Sequence, residues 1–353
     1  MNICFLVGNL NLAGGTERTT TLLANALSQH HEIFTLNIQQ GETPFFTLQP
    51  NIKNACLFDH PVSMKCHTIS TILKIRAFIK AHQIDCLIVV DSISCVFTVP
   101  ALMGLNIKHI CWEHFNFDIN LGTRLRDWGR KLASRYCDAV VTLTEHDATQ
   151  WQNALPHHHA KIIAIANLSA FNIQTTNPTQ VNKTVLSVGR LRHEKGFDLL
   201  IQAWQQVVKQ YPNWQLKIIG SGEQADQLKQ STTVVDNIQF IPNTADLTLS
   251  YQQASIYCLP SRFEGFGMVL VEAMSFGLPI VAFDCKIGPK EILKNTLNTL
   301  VEAENTQALA DALCNMIATQ AKQYDAIVVQ NKKHAQQYQA DAILPRWLEL
   351  INA

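Results

Sequence analysis

The chain has 353 residues, with 28 Lys+Arg against 28 Asp+Glu, and is 47% hydrophobic and 16% charged. That length is long for one core and predicts two domains of roughly 170 residues each. Zero net charge excludes a broadly basic nucleic-acid binder, and the apolar fraction, with no low-complexity tail, excludes a disordered chain.

Asn2 to Gly8 forms a short apolar run without a preceding cation, so it reads as a strand rather than a signal peptide. Gly14-Gly15 then opens a helix with Leu22, Leu23, Ala26 and Leu27 on one face. Ile84 to Val90 is a buried strand ending at Asp91; Ile107 to Trp112, Ala139 to Leu143 and Ile162 to Ala166 repeat that form. Short β-rich runs alternating with helical patterns imply parallel sheets covered on both faces. The polar stretch Asn167 to Asn182, with Asn177-Pro178, reads as a linker. Strands are then expected at Thr184 to Val188, Gln215 to Ile219, Asn237 to Ile241, Ile256 to Leu259 and Pro279 to Phe283. Helices are expected over Phe197 to Lys209, from about Gly267 to Phe276, and from about Asn305 onward.

Ten cysteines occur at positions 4, 56, 66, 86, 95, 111, 137, 258, 285 and 314, with no Cys-x-x-Cys pair. Cys4, Cys86, Cys111 and Cys258 lie in apolar runs and read as small buried hydrophobes in a reducing compartment. Neither a zinc site nor a disulfide framework is expected from the spacing, and His157 to His159 has no ligand-like partner. No apolar run approaches the roughly 18 residues of a membrane span. The expectation is a soluble, cytoplasmic chain.

Three segments at strand ends carry the chemistry. In Pro260-Ser-Arg-Phe-Glu-Gly-Phe-Gly-Met-Val-Leu-Val-Glu272, Gly265 and Gly267 open a helix whose free amides attract phosphate. Glu272 sits among Val269, Leu270, Ala273 and Met274, where a carboxylate needs a hydrogen-bonded partner, such as a sugar or ribose diol. Gly189-Arg-Leu-Arg-His-Glu-Lys-Gly196 places cations at a strand–helix turn, suited to a pyrophosphate. Gly220-Ser-Gly-Glu223 follows the next strand and is a weak signal alone. In the first half, Gly14-Gly15-Thr-Glu-Arg18 and Cys111-Trp-Glu-His114 also follow strands. Neither a dinucleotide Gly-x-Gly-x-x-Gly nor a Walker motif is present, which argues against NAD enzymes and P-loop NTPases.

Together these motifs resemble retaining glycosyltransferases of family 4, with the GT-B fold. The resemblance implies an α/β chain of two Rossmann-like domains facing a central cleft. Residues 1–170 would bind the acceptor, 171–335 the nucleotide-sugar, and a helix over 336–353 would cross back to the first domain. It further implies that Arg190 and Lys195, beside Gly189, hold the donor diphosphate, and that Gly265, Phe266 and the backbone of Gly267, Met268 and Val269 cradle phosphate. Glu272 would bind the ribose, and Glu264 the transferred sugar. Gly220 and Glu223 would line the donor site; Gly15 would approach the diphosphate from the other domain, with His114 near the sugar. No metal or other cofactor is implied, in keeping with the missing Asp-x-Asp. The chain departs from the family pattern at Asn243 and at Ala166-Asn167-Leu168.

The implied reaction moves a sugar from a nucleotide-sugar, UDP-linked ahead of GDP-mannose, to a hydroxyl of a glycan or lipid-linked glycan of a bacterial surface polysaccharide. A silent sugar-nucleotide binder, or an epimerase- or phosphorylase-like enzyme of the same fold, is the alternative. Residues 124–137 carry five cations and one acid interleaved with Leu125, Trp128, Leu132 and Tyr136. With Lys65, Lys74, Arg76 and Lys80, they are expected to dock on an anionic inner-leaflet surface as a peripheral contact.

Overall fold

Every strand pairing among the described residues is parallel. The computed structural model describes residues 1–353 apart from 121, 233–236, 245 and 286–287. The chain divides into two compact units, one of residues 1–168 with 340–353, the other of residues 169–339.

The first unit alternates β1 (Asn2–Val7), α1 (Gly15–Leu27), β2 (Glu32–Asn37), β3 (Lys53–Cys56), α2 (Thr68–Ala81), β4 (Cys86–Val90), α3 (Cys95–Leu102), β5 (Lys108–Trp112), α4 (Arg124–Tyr136), β6 (Ala139–Thr142), α5 (Glu145–Ala154) and β7 (Lys161–Ala164). Its sheet runs β3-β2-β1-β4-β5-β6-β7. Phe5 of β1 lies opposite Thr35 on one side and Ile88 on the other. All five residues of β4, Cys-Leu-Ile-Val-Val, are buried, as a strand covered on both faces requires.

The second unit holds β8 (Thr184–Val188), α6 (Phe197–Gln210), β9 (Gln215–Ile219), α7 (Ala225–Ser231), β10 (Ile238–Ile241), α8 (Thr248–Gln252), β11 (Ile256–Leu259), α9 (Met268–Ser275), β12 (Ile280–Asp284), α10 (Pro289–Ile292), β13 (Thr299–Glu302), α11 (Thr306–Ile317) and α12 (Ala321–Ala335). Its sheet runs β10-β9-β8-β11-β12-β13. Asn305 caps α11 by accepting from the Ala308 amide. The last helix, α13 (Ala340–Asn352), belongs to the first unit. There Arg346 donates to the Ala164 carbonyl at 2.6 Å, and Trp347 packs edge-on against Trp112 at 5.1 Å.

Each sheet reverses its winding once, between β1 and β4 in the first and between β8 and β11 in the second. At such a switch point the following loops part, leaving a crevice beyond the strand carboxyl ends where ligands bind. The Gly14-Gly15 turn follows β1 and Asp91 follows β4; residues 189–196 follow β8 and residues 260–267 follow β11. The two sheets with their covering helices are the paired Rossmann-like, GT-B arrangement.

Three strands lie outside the apolar runs of the sequence. β3 and β13 are sheet edges, only partly buried, and need no apolar run. β2 carries buried Thr35 and Asn37, whose polar atoms are satisfied locally; Asn37 Oδ1 accepts from the Leu10 amide at 2.8 Å. The linker-like stretch is an ordered part of the second unit from Ser169 onward. Gln174 N donates to the Ser275 carbonyl at 2.9 Å, and Lys332 Nζ donates to the Thr176 carbonyl at 2.7 Å.

One helix contact depends on a missing side chain. A Cβ on Gly129 of α4 would meet the Ser92 carbonyl oxygen at 2.3 Å, in the turn after β4. Gly129→Ala must push α4 outward and is expected to cost about 1–3 kcal/mol despite its better helix propensity. Urea denaturation with an unchanged midpoint would refute this.

Candidate functional site

In the second unit, the loops after β8 and β11 are tied by two charge networks. Lys195 Nζ donates to both carboxylate oxygens of Glu264 at 2.8 Å, and Ser261 Oγ donates to Glu264 Oε1 at 2.6 Å. Arg262 forms a bidentate pair with Asp198 at 2.8 and 2.7 Å. It also donates to Glu304 at 3.0 Å and to the His193 carbonyl at 2.7 Å. The Arg262 hydrogen bonds hold the Asp198 carboxyl below its ordinary range. Gly196 lets these loops touch: its φ is 65°, and a Cβ there would meet the Pro260 carbonyl oxygen at 2.0 Å.

Arg190 stands exposed after β8, with no side-chain partner among the described residues. α9 begins after Gly267, at φ 98°, with no side-chain cap and no acid in its first turn. Its first amides, at Met268 and Val269, thus retain their attraction for an anion. Arg190, Lys195, Glu264 and the start of α9 therefore stand on the loops of one switch point.

Other residues of the motifs have packing duties. A Cβ on Gly220 would lie 1.9 Å from the Gly189 carbonyl oxygen, so this glycine serves the stacking of two loops. Gly189 N donates to the Ile219 carbonyl at 3.0 Å. Glu223 is exposed and 4.0 Å from Arg192, a weak surface pair. Gly265 is half-buried, and the buried Phe266 ring packs against Tyr338 at 5.9 Å. Glu272 is only 1% exposed, and its carboxylate accepts from Tyr251 Oη at 2.9 Å. A protein partner therefore already meets the need that the sequence assigned to a sugar diol.

In the first unit, Gly15 is the exposed first residue of α1, and a Cβ there would meet nothing within 4 Å. No packing demand explains this glycine. His114 follows β5 and is 9% exposed, its ring 4.4 Å from Trp112. Burial lowers its pKa to about 3, and Nε2 has no hydrogen-bond partner among the described residues. It is a neutral imidazole with an unused polar atom.

The basic segment at 124–137 departs from its sequence reading. Arg126 and Arg130 point inward from α4. Arg126 grips Asp91 at 2.6 and 2.9 Å and lies 3.6 Å from Glu113. Arg130 lies 3.6 Å from Glu113, donates to the carbonyls of Asn116 and Ile119 at 2.8 Å each, and also donates to Phe117 O. Removing one partner of such a buried pair costs about 3–5 kcal/mol, so these two cations belong to the fold. Lys74 and Arg76 are likewise engaged, by the carbonyls of Leu57 and of Ala101 and Met103. Arg124, Lys131, Arg135, Leu125, Trp128 and Tyr136 remain exposed on α4.

Sequence reasoning missed Asp91, Glu113, Arg126 and Arg130 as one cluster, and Tyr251, Ser261 and Asp198 as partners. Only the strand-end positions of Asp91 and Glu113 hinted at it. The Glu113 carboxyl is raised to about 7, first by burial and then by Asp91, against the pull of the two arginines. A raised folded pKa favours the protonated native state. The stabilisation from this group is full below its unfolded value of about 4.3 and is lost as pH rises through about 7. Glu113→Gln is expected to remove that component, narrowing the fall in melting temperature across this window. Parallel wild-type and variant curves would contradict the assignment.

Residues 13–168 match the family described as Glycosyltransferase Family 4, and residues 170–334 match Glycosyl transferases group 1. A glycosyltransferase of Haemophilus influenzae is 38% identical over 354 residues, covering 99% of both chains. An undecaprenol-linked-glycan α-1,4-N-acetyl-D-galactosaminyltransferase of Campylobacter jejuni is 25% identical over 99% of this chain and 98% of its own. The solved structure of HepE from Anabaena in complex with UDP superposes with a TM-score of 0.81 at 19% identity, covering 100% of both chains, and so shares the fold. With a family 4 first unit and a group 1 second unit on this fold, the chain belongs to the family 4-like glycosyltransferases with the GT-B fold.

Proposed function

We propose that the chain transfers a sugar, with retention at the anomeric carbon, from a nucleotide-sugar to a hydroxyl of a glycan or lipid-linked glycan of a surface polysaccharide. A UDP-sugar is the favoured donor, ahead of GDP-mannose. The observation that carries this reading is the unpartnered Arg190 beside the Lys195–Glu264 pair and the uncapped α9, all at the second sheet's switch point. That set suits a sugar diphosphate. The lipid-linked acceptor is supported by the likeness to the Campylobacter relative, whose acceptor is an undecaprenol-linked glycan.

In this reading Arg190 and Lys195 bind the diphosphate. Lys195 gives two of its three donors to Glu264 and keeps one for a phosphate oxygen. The amides of Met268 and Val269 add the helix-start field, stabilising charge on the leaving nucleoside diphosphate. Glu264, fixed by Lys195 and Ser261, accepts from hydroxyls of the transferred sugar. Glu272 takes the ribose hydroxyls in place of, or beside, Tyr251. Gly15 and His114, at strand ends of the first unit, are assigned in this reading to the diphosphate and to the sugar. Attack proceeds from the face of the departing phosphate, without a metal.

Lys195→Ala is expected to lower kcat/KM by about 100-fold or more, and Glu272→Ala to weaken donor binding, in an assay of nucleoside diphosphate release. Gly15→Leu should depress transfer while leaving the melting temperature unchanged, because its Cβ meets open space. UDP should raise the melting temperature more than GDP, and added EDTA should not slow transfer. Wild-type rates in both the Lys195 and Glu272 variants would remove the assignment; donor binding without turnover would favour a silent binder.

The exposed face of α4 is proposed to rest on an anionic bilayer. Trp128 is 65% exposed, flanked by Leu125, Tyr136 and the cations Arg124, Lys131 and Arg135. Among the described residues no helix is long and apolar enough to cross a membrane. Flotation with phosphatidylserine-containing vesicles, weakened by Trp128→Glu, is the expected result; equal recovery with neutral vesicles would end the proposal.

A further inference from the structure

Three ligand-type side chains, Cys95, His109 and Cys137, converge in the core of the first unit, with Cys111 in the same core cluster. His109 and Cys111 are two apart on β5 and so share one face of the strand. Cys95 is the first residue of α3, and Cys137 is the residue that ends α4. All three thiols are fully buried, and His109 nearly so. The ligand atoms of Cys95, His109 and Cys137 lie within 4.8 Å of one another. His109 Nδ1 is 3.5 Å from Cys137 Sγ, and Cys111 lies outside this close group, in the same core cluster as Cys95 and Cys137.

The plain alternative is a packed core in which thiols act as small hydrophobes. The histidine argues against it. A buried imidazole is costly unless both nitrogens are satisfied, and here both are directed. Nε2 meets Thr98 Oγ1 at 3.0 Å, one turn along α3 from Cys95, while Nδ1 faces the thiols. One nitrogen held by a hydroxyl and the other turned into a sulfur cluster is how a metal-ligating histidine is oriented. A tetrahedral ion with metal–sulfur bonds of about 2.3 Å holds its ligand atoms roughly 3.5–3.8 Å apart, the spacing already present between Cys137 and His109.

We propose that Cys95, His109 and Cys137 bind a Zn²⁺ ion, tying β5, α3 and α4 together, and that Cys111 moves in to complete a closed structural site. Binding would replace three S–H bonds by three Zn–S bonds and release three protons to solvent, with the neutral imidazole as fourth ligand. A closed Cys₃His set has no open position for a reactant, so the ion would take no part in transfer. Its service would be to hold the strand that presents Glu113 and His114 and the helix that presents Arg126 and Arg130. The site stands on its own residues, whatever the sugar chemistry proves to be.

The experiment is metal content. The full chain, grown in zinc-supplemented medium and freed of any affinity tag, is analysed by plasma mass spectrometry after gel filtration without chelator. About one zinc per chain is expected, lost in Cys137→Ser and in Cys95→Ser but kept in Cys258→Ser, whose buried thiol lies in the other unit. Because the ligand variants can fail to fold, the wild-type chain is also grown in cobalt medium. Thiolate-to-cobalt charge-transfer bands with tetrahedral visible bands are expected. A folded wild-type chain with neither zinc nor cobalt bands would overturn the proposal. So would zinc retained in both variants, or a Cys95–Cys137 disulfide found by intact mass after purification under argon.

Discussion

A parallel strand covered on both faces has no room for charge along its length, so ionic side chains collect at its carboxyl end. That constraint organises both units. β4 and β8 are buried throughout, and the first charged residues after them are Asp91 and Arg190. Strand order then decides which of these ends stand side by side. Asp91 is brought beside the cluster after β5, and Lys195 meets Glu264 across the loops that follow β8 and β11.

Charge gathered in partly buried loops must be neutralised where it stands. In the first unit, Arg126 and Arg130 are set against Asp91 and Glu113, and Arg130 also collects the carbonyls of the loop that bears His114. In the second, Arg262 joins two loops through Asp198 and Glu304. Positioning is the consequence of these pairings. A loop fixed by charge-assisted bonds at both ends presents its remaining groups in one geometry, and the groups left over are Arg190, the helix start at Gly267 and His114 Nε2.

Helix α4 shows how one segment serves two purposes. Its residues read along the chain as a single basic stretch, yet the turn of the helix sends Arg126 and Arg130 inward and leaves Trp128, Lys131 and Arg135 outside. The inward pair is structural; only the outward face is available to a surface. Gly129 sits on the inward side because α4 presses on the Ser92 carbonyl there.

The sequence by itself determined the alternation of strands and helices, the two units and the turns that bear Gly15, Arg190, Lys195, Glu264 and Gly267. These rest on hydrophobic period and on glycine at strand ends, which are local properties. Edge strands such as β3 and β13 escaped because half-exposed strands need no apolar run. Partners were not legible: Tyr251 and Glu272 are 21 positions apart, Lys195 and Glu264 are 69 apart, and the cysteines at 95, 111 and 137 share no motif spacing. Only the tertiary structure decided which motif glycines are packing devices, as at Gly220, and which face open space, as at Gly15. It also decided which cations are internal. The physical reason is that a side chain's type fixes what it needs, while the partner that meets the need is set by strand order, which no local pattern encodes.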